Sequence, residues 1–407
     1  AAATRDHARV VALFVLDRRL LNGAGPKRRD LFCAHLAALD QTLRDLGGRL
    51  VIREADPGLP PAEAAATEVR RAADEVGAGT VHANRDVGPF ARRRDDLVDI
   101  VGWWGRTVHP PGSVLTNKGT LSRVFTPFYR RWDSTVPEDW PQPGGADLIA
   151  LDGVDPPTPD ADPPMAGGEG AALDRLAEWL SAVDAYEDTR NLPAIPGTSM
   201  LSADLKFGTI AARRIVLEAG TGTEGRAASV RQLAWRDWYT HLMWEMPHMV
   251  DHSVSPEYDR IEWQDDPDDF AAWCAGRTGY PIVDAGMRQL VESGWMHNRV
   301  RMICASFLVK DLLVDWRRGE RFFRHHLIDS DLAQNVGNWQ WVAGTGPDSA
   351  PYFRIMNPTA QQQRWDPDGT YVNTWLDADD PAYPGPIVEH GAARDRTLAA
   401  YKAVKGS

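Results

Sequence analysis

The 407 residues of the chain suffice for two or three domains, and their composition, 43% hydrophobic and 25% charged, is that of a soluble globular protein. No apolar run approaches the roughly 18 residues of a membrane span, the first residues do not form a signal peptide, and the three cysteines form no CxxC pair. These features argue against a membrane protein, a disulfide framework and a zinc site, and the net charge of -12 argues against nonspecific binding of nucleic acid.

The first third of the chain alternates short apolar runs with helical patterns of leucine and alanine. Strands are predicted at residues 10–16, 50–52, 80–83 and 107–109, and helices at residues 26–46, 61–73 and 90–100. Strands and helices that alternate in this way form an open parallel sheet with right-handed crossovers. The sequence therefore predicts a doubly wound α/β domain over residues 1–120.

The composition changes after this region. Residues 137–170 are rich in Pro, Gly and Asp and show no periodicity, which is typical of a linker between domains. Helical patterns dominate from there to the end, and the last helix is predicted at residues 392–404. The sequence thus predicts a linker over residues 121–170 and an all-α domain over residues 171–407. The unpaired cysteines favour a reducing, cytoplasmic location.

The most informative stretch runs from Trp295 to Pro358. It contains four of the 16 tryptophans, with polar residues between them in a pattern that core packing does not require. Trp295, Asn298 and Met302 follow one another at spacings of three and four, which predicts that they share one face of a helix. The stretch reads WMHNRVRM, then DWRRGE, then LIDSDLAQNVGNWQW, and ends APYFRIMNP.

These segments, in this order, resemble the flavin domain of the photolyase/cryptochrome family, and most of all the class I photolyases that repair cyclobutane pyrimidine dimers. The resemblance extends from about Val10 to the C-terminus and includes ANRDVGPFARRR and VFTPFYRRW upstream. It implies a monomeric enzyme that binds FAD and damaged DNA, with 8-hydroxy-5-deazaflavin or methenyltetrahydrofolate as antenna. Family members begin with a strand and an FR-DLR-like segment that this sequence lacks, so we expect the first strand to be missing.

The resemblance assigns one set of residues to the cofactor. The turn GTSMLS, which on its residues alone is a plain N-cap or an anion site, is implied to hold the phosphates of FAD. Arg301 and Asp329 are implied to form an ion pair beside the isoalloxazine ring. Asp331 is implied to bond the pyrimidine edge of the ring, and Asn335 to face N5. The full set is Tyr186, Thr198, Ser199, Met200, Leu201, Ser202, Arg236, Arg301, Asp329, Ser330, Asp331 and Asn335.

A second set is implied to bind the DNA strand and the lesion: Arg190, Gln232, Trp235, Asn298, Arg299, Met302, Trp341 and Gln361. Trp235 is expected to stack on the damaged bases. Dimer-repairing photolyases most often carry Glu where this chain has Gln232, and Gln there also resembles (6-4) photolyases and cryptochromes. Asn298 stands where (6-4) photolyases carry a second His, which argues against (6-4) repair. A (6-4) photolyase and a cryptochrome-like photoreceptor without repair stay open as alternatives.

Three tryptophans complete the implied site: Trp263, Trp316 and Trp339. On spacing alone they are ordinary core residues. The resemblance implies that they relay electrons to the flavin, with Trp339 nearest the ring and Trp263 nearest solvent. No spacing of His, Cys or acidic residues predicts a metal site. The implied activity is light-driven repair of pyrimidine dimers by electron transfer from excited, reduced FAD.

Overall fold

The N-terminal part of the chain forms parallel strands separated by helices. The computed structural model describes residues 1–137, 142–264, 266–349, 351–378 and 380–405. Its strands are β1 (Arg9–Val10), β2 (Ala12–Leu16), β3 (Leu50–Glu54), β4 (Val81–Asn84), β5 (Ile100–Trp103) and β6 (Asp147–Leu148). They pair in parallel as β1 with β6, β2 with β3 and β4 with β5. The predicted α/β class is confirmed, with the strands divided among three pairs.

Helices account for most of the remaining chain. They are α1 (Ala2–Asp6), α2 (Arg18–Asn22), α3 (Pro26–Asp45), α4 (Pro61–Val76), α5 (Pro89–Asp95), α6 (Phe125–Ser134), α7 (Glu169–Ala182), α8 (Tyr186–Thr189), α9 (Ser202–Phe207), α10 (Ala212–Ala219), α11 (Glu224–Glu245), α12 (Pro267–Cys274), α13 (Pro281–Ser293), α14 (Asn298–Ser306), α15 (Trp316–His326), α16 (Leu332–Ala343), α17 (Pro358–Trp365), α18 (Thr370–Trp375) and α19 (His390–Lys405). A single π-helical turn, Phe307–Asp311, follows α14. From Glu169 onward the described residues form helices and loops without a strand, as predicted.

The pair β2–β3 shows why the N-terminal strands form. Its register runs from Ala12 opposite Leu50 to Leu16 opposite Glu54. The apolar side chains of both strands pack with Leu36 of the intervening helix α3. An apolar run that is covered by its own crossover helix is the usual arrangement of a parallel strand.

The predicted strand at residues 107–109 and the C-terminal end of the predicted helix at residues 90–100 are wrong. Helix α5 ends at Asp95, and the strand that follows it and pairs with β4 is β5. The backbone N–H groups of Val108 and His109 donate instead to the carboxylate of Asp237 in α11, each at 3.0 Å. A side chain 129 residues away in sequence thus replaces the neighbouring strand as hydrogen-bond partner.

The region predicted as a linker is folded against both parts of the chain. Residues 138–141 of it lie outside the described residues. Downstream of them, β6 pairs with β1 and Val154 bridges to Ile52. Upstream, Trp132 of α6 donates its indole N–H to Asp237 at 2.9 Å. Composition predicted a linker here, but it did not reveal α6, β6 or these contacts.

The core of the helical part lies between α11, α13, α14 and α16. Gly286 of α13 approaches α14 so closely that an added Cβ would lie 2.4 Å from Val300 Cγ1 and 2.8 Å from Cys304 Sγ. The absence of a side chain therefore sets the distance between these two helices. None of the described helices has the length and apolar character that crossing a membrane requires.

Candidate functional site

One cavity lies beside α14 and the N-terminal half of α16. It contains about 560 Å³ of empty space, part of it open to solvent. Its lining runs from Asn298, which is exposed, to Trp339, which is only 2% exposed, so it connects the surface with the core. Eight residues of the two implied sets and the relay share this lining: Asn298, Arg301, Met302, Asp329, Ser330, Asp331, Asn335 and Trp339.

Helix α14 begins at Asn298 because His297 caps it. Nδ1 of His297 accepts the backbone N–H of Arg299 at 3.2 Å. Trp295 precedes the helix, where the hydroxyl of Ser293 accepts its N–H at 3.1 Å. The prediction that Trp295 shares a helical face with Asn298 and Met302 is therefore wrong. The latter two do share one, with 3.8 Å between the amide nitrogen and the thioether sulfur.

The predicted ion pair between Arg301 and Asp329 is confirmed. Its two hydrogen bonds measure 3.2 Å and 2.8 Å, and both side chains line the cavity. Nε of Arg301 also donates to the carbonyl of Met296 at 2.7 Å. The guanidinium is thus held in a bidentate geometry from one side and anchored to the backbone from the other.

Asp331 caps α16 and forms an ion pair with an arginine, Arg106, from the N-terminal part of the chain. One carboxylate oxygen accepts the N–H groups of Ala333 (3.1 Å) and Gln334 (3.3 Å). The other accepts from Arg106 at 2.5 Å. Burial alone would raise the pKa of Asp331, but Arg106, Arg236 and Lys206 outweigh it and lower the pKa to about 2. The carboxylate is therefore ionised, and its predicted contact with the flavin stays a prediction.

Arg236 is buried beside this pair. Its guanidinium donates to the backbone carbonyl of Arg106 and, at 3.0 Å, to that of Leu205. Its side chain lies outside the cavity described above and joins α11 to α9 and to the loop that carries Arg106. In the structure Arg236 therefore acts on the site indirectly, because it holds the backbone at Arg106 and Leu205 in place.

Asn335 turns its amide nitrogen away from solvent and toward α15. The nitrogen donates to the backbone carbonyl of Glu320 at 3.0 Å and to its carboxylate at 2.8 Å. Glu320 is 2% exposed and pairs with Arg324. This contact fixes the orientation of the amide and leaves its oxygen as the polar atom available to the cavity. The predicted role of Asn335 at N5 stays a prediction.

The turn of Thr198, Ser199, Met200, Leu201 and Ser202 is left-handed at Met200, with φ of 53°. It leads directly into α9, whose N-terminus has no side-chain cap. The interpretation as a plain N-cap is therefore wrong for this turn. Hydroxyl groups and uncapped N–H groups together are donors suited to an anion.

A row of arginines lies beside the cavity opening. Arg299 donates to the side-chain oxygen of Asn191 at 2.6 Å, and its guanidinium lies 4.7 Å from the ring centre of Trp365. Arg364 lies 4.5 Å from the same ring, and the indole N–H donates to Gln361 at 3.1 Å. Burial lowers the pKa of Arg299, and the charges of Arg190 and Arg364 lower it further.

Tyr186 and Arg190 lie together on α8 and the residue after it. The guanidinium of Arg190 is 5.5 Å from the ring centre of Tyr186, and that ring also approaches Trp179 edge-on. Arg190 also pairs with Glu187 at 3.5 Å. Burial raises the pKa of Tyr186, so the ring stays neutral.

Three residues implied to meet the lesion lie outside the cavity lining: Gln232, Trp235 and Trp341. The amide of Gln232 donates to the carbonyl of Ala228 on its own helix at 3.3 Å. Trp235 is partly buried and stacks on Phe125, with ring centres 3.6 Å apart and planes 11° apart. Trp341 is also partly buried.

The three implied relay tryptophans are buried to different degrees. Trp339 and Trp316 are 2% and 0% exposed, whereas Trp263 is only partly buried. Trp339 makes edge contacts with Phe323 at 5.0 Å and with Trp273 at 6.3 Å. Trp263 lies edge-on to Tyr401 at 6.2 Å. Trp263, which is predicted to lie nearest solvent, is the most exposed of the three, while the relay itself stays a prediction.

Comparison with known proteins agrees with this arrangement. The family model for DNA photolyase matches residues 1–144, and the model for the FAD binding domain of DNA photolyase matches residues 229–380. The deoxyribodipyrimidine photo-lyase of Escherichia coli is 37% identical, over 100% of this chain and 95% of that protein. The chain belongs to the photolyase/cryptochrome family.

Solved structures of the photolyase/cryptochrome family match the whole chain. A bacterial class III photolyase from Agrobacterium tumefaciens is 33% identical with a TM-score of 0.88, covering 100% of this chain and 94% of that one. The cryptochrome of Synechocystis is 25% identical with a TM-score of 0.85, covering 98% of this chain and 94% of that one. Both branches of the family therefore share this fold.

As a member of this family the protein is a lyase that binds FAD, and its residues fit that cofactor. Lys206 of α9 is a partly buried ammonium with no hydrogen bond or ion pair within the described part of the chain. Burial lowers its pKa, and the charge of Asp331 opposes that shift. With the uncapped turn before α9, it would provide donors for the phosphates of FAD, while Arg301, Asp329 and Asn335 would provide polar groups for the ring.

The sequence motifs missed several residues that hold the site together. Arg106 contacts Asp331, Phe125 contacts Trp235, and Glu320 contacts Asn335. Trp365 contacts both Arg364 and Arg299. A signal existed for Arg364 and Trp365, since an arginine and a tryptophan follow Gln361 within one helical turn. The other three become partners only through the tertiary fold.

Proposed function

We propose that this protein repairs cyclobutane pyrimidine dimers in DNA by light-driven electron transfer. The observation that carries the proposal is the continuous cavity lined by Asn298 and Met302 toward the surface and by Asn335 and Trp339 toward the core. The first two are implied to touch the lesion and the last two to surround the flavin. A single cavity thus brings the two sets of residues within reach of one another.

The arginines beside the opening support binding of the DNA backbone. Burial lowers the pKa of Arg299, and repulsion from Arg190 and Arg364 lowers it further. A phosphate placed among them would relieve this repulsion and form charge-assisted hydrogen bonds. This local positive charge makes DNA binding compatible with the net charge of -12.

Different residues are proposed to act on the lesion and on the flavin. The dimer, two adjacent pyrimidines of one strand, leaves the duplex before reaction, which exposes its bases for stacking on Trp235 and contact with Asn298 and Met302. FAD, for which Arg301, Asp329 and Asn335 would provide polar groups, would supply in its reduced and light-excited form the electron that opens the cyclobutane ring, and would recover it afterwards. Arg301 and Asp329 hold fixed charges beside the cavity, and Trp339 excludes water from its inner end.

The proposal extends to the organisation of the chain. It includes an antenna-type domain over residues 1–120, a connecting region over residues 121–170 and a catalytic domain over residues 171–407. Among the described residues the strands all lie before Ile149, which supports a division into an α/β part and a helical part. A monomer in the cytoplasm with a deazaflavin or folate antenna completes it.

A cryptochrome-like photoreceptor is the second candidate. The observation in its favour is that Gln232 bonds its own helix and carries no negative charge where dimer-repairing photolyases most often have Glu. The match to the Synechocystis cryptochrome is compatible with this alternative. Repair by a (6-4) photolyase is a third candidate, against which Asn298 argues.

The test is to mix reduced, FAD-loaded protein with an oligonucleotide that carries one cyclobutane thymine dimer, and to count restored thymines under blue light and in the dark. A parallel oligonucleotide carries one (6-4) photoproduct. Restoration of the dimer only in the light is the expected result. No restoration of either lesion by protein that retains FAD would reject repair in favour of the photoreceptor. Restoration of the (6-4) lesion alone would make the (6-4) photoproduct, and not the cyclobutane dimer, the substrate.

A further inference from the structure

The indole of Trp235 is held from one side by a single aromatic ring. Phe125, the first residue of α6, lies with its ring centre 3.6 Å from that of Trp235 and its plane 11° from parallel. Trp238 and Tyr239 approach the same indole at 5.3 Å and 6.0 Å, edge-on and tilted. Phe125 is therefore the one aromatic ring among the described residues that stacks on a face of the indole, and the indole stays partly exposed.

Phe125 is itself fixed by contacts that do not involve Trp235. Its backbone N–H donates at 2.9 Å to the carboxylate of Asp348, a residue in a left-handed conformation with φ of 46°. The guanidinium of Arg231 lies 5.6 Å from the Phe125 ring centre and 4.8 Å from that of Tyr129. Because Phe125 is only 1% exposed, it has little freedom to move away from the indole.

We propose that Phe125 is a positioning residue for Trp235 and sets the preference of the protein for damaged over undamaged DNA. The inference rests on the proposed function, in which Trp235 stacks on the damaged bases. A stacking platform binds more tightly when its orientation is fixed before the ligand arrives, because less rotational freedom is lost on binding. Undamaged duplex keeps its bases stacked inside the helix, so its binding does not depend on this platform.

The experiment compares two buried phenylalanines of the same helix. Phe128 is also 1% exposed, but it lies edge-on to His241 at 5.3 Å and has no aromatic contact with Trp235. FAD-loaded Phe125→Leu and Phe128→Leu are titrated in the dark with a duplex carrying one thymine dimer and with the same duplex undamaged. Both substitutions are repeated in a Trp235→Ala background. FAD content is measured for each variant, and Phe125→Met replaces the leucine variant if that one does not retain FAD.

We expect Phe125→Leu to raise the Kd for the damaged duplex roughly two- to twelvefold, the effect of losing one pre-ordered side chain, and to leave the Kd for undamaged duplex unchanged. Phe128→Leu should change neither value. In the Trp235→Ala background, Phe125→Leu should have no further effect, because the indole on which it acts is gone. Phe125→Tyr, which keeps the ring, should keep the wild-type ratio of the two Kd values.

Three results would overturn the inference. Phe125→Leu and Phe128→Leu could change damaged-duplex binding equally, or Phe125→Leu could act as strongly without Trp235 as with it. Either result, with Trp235→Ala still weakening lesion binding, rejects the role of Phe125 and keeps the proposed function. If Trp235→Ala leaves lesion binding unchanged, the stacking role of Trp235 fails, and the inference fails with it.

Discussion

At the scale of single residues, Lys310 is a lysine whose amine is buried in the helical part. Its Nζ donates to the carbonyl of Ala343 at 2.6 Å and lies 3.7 Å from the ring centre of Tyr401, and the residue is 1% exposed. Burial lowers the pKa of Lys310 to about 7. The folded protein therefore favours the neutral amine, whereas the unfolded chain keeps the ammonium up to about pH 10.4.

The sign of the pH dependence follows from this difference. Between about pH 7 and about pH 10 the unfolded state binds more protons, so the free energy of unfolding should rise with pH. Lys310→Met should remove most of that rise and stabilise the protein near neutral pH. Urea unfolding at several values of pH between 7 and 9 measures the effect. Lys402→Met, which changes an exposed lysine, is the control, and a Lys310→Met profile parallel to the wild type would contradict the prediction.

Trp339 permits a second prediction at this scale. It lines the cavity and is the implied first donor to oxidised FAD, so Trp339→Phe should block photoreduction of the flavin while repair by chemically reduced protein continues. Trp273→Phe is the matched control, since that indole is equally buried and only 6.3 Å from Trp339 but has no implied role. Absorbance spectra recorded during blue illumination measure the reduction. Equal photoreduction by both variants and the wild type would reject the relay.

At the scale of elements, local patterns predicted helices better than strands. The leucine and alanine periodicity over residues 26–46 corresponds to α3, and the pattern over residues 61–73 to most of α4. The error at residues 107–109 arose because a valine between a threonine and a histidine looks like a short strand, while the backbone N–H groups of Val108 and His109 donate to Asp237. Periodicity predicts which side chains are buried, but it does not predict which groups form hydrogen bonds with the backbone.

The contact between α15 and α16 also escapes any local pattern. A Cβ added at Gly319 would lie 2.2 Å from Cη2 of Trp339 and 2.5 Å from Cδ2 of Leu308. The sequence shows a glycine inside a helix, which by itself indicates only reduced helix propensity. The structure shows that this glycine makes room for the indole at the inner end of the cavity.

Gly319→Ala should therefore destabilise the protein by about 1–3 kcal/mol and lower its FAD content, because the new methyl group pushes Trp339 toward the cavity. Gly170→Ala in α7 is the control, since nothing lies within 4 Å of its added Cβ. That variant should be neutral or gain up to about 1 kcal/mol from helix propensity. Thermal unfolding and the ratio of flavin to protein absorbance test both. Equal behaviour of the two variants would show that α15 can move away at no cost.

At the scale of the whole molecule, the site depends on contacts between the two ends of the sequence. Arg106 and Asp331 are 225 residues apart, and Arg28 of α3 donates to the carbonyl of Leu327 at 2.9 Å. Motif resemblance located eight of the residues that line the cavity, since their pattern is local. It could not locate Arg106, because the partner of a buried carboxylate is decided by how the N-terminal part packs on the helices.

Arg106→Gln tests whether the N-terminal part stabilises the cofactor site. Asp331 would keep its helix-capping bonds but lose its closest cation, and breaking a buried ion pair from one side costs about 3 kcal/mol. Arg214→Gln, which removes an exposed pair with Glu218 at 2.6 Å, should cost less than about 0.5 kcal/mol. Release of FAD on heating, followed by flavin fluorescence, should therefore occur at a lower temperature only for Arg106→Gln.

The release of FAD from the same variants can also be measured as the pH is lowered. The pKa of Asp331 is about 2, below its value in an unfolded chain, so its contribution is present near neutral pH and is lost only as pH falls toward 2. Without Arg106 the pKa of Asp331 should rise toward the ordinary value, and FAD release should begin at a higher pH than in the wild type or in Arg214→Gln. Coincident release curves for all three proteins would mean that Arg236 and Lys206 suffice to hold the charge of Asp331. The N-terminal part would then contribute nothing to flavin retention through Arg106.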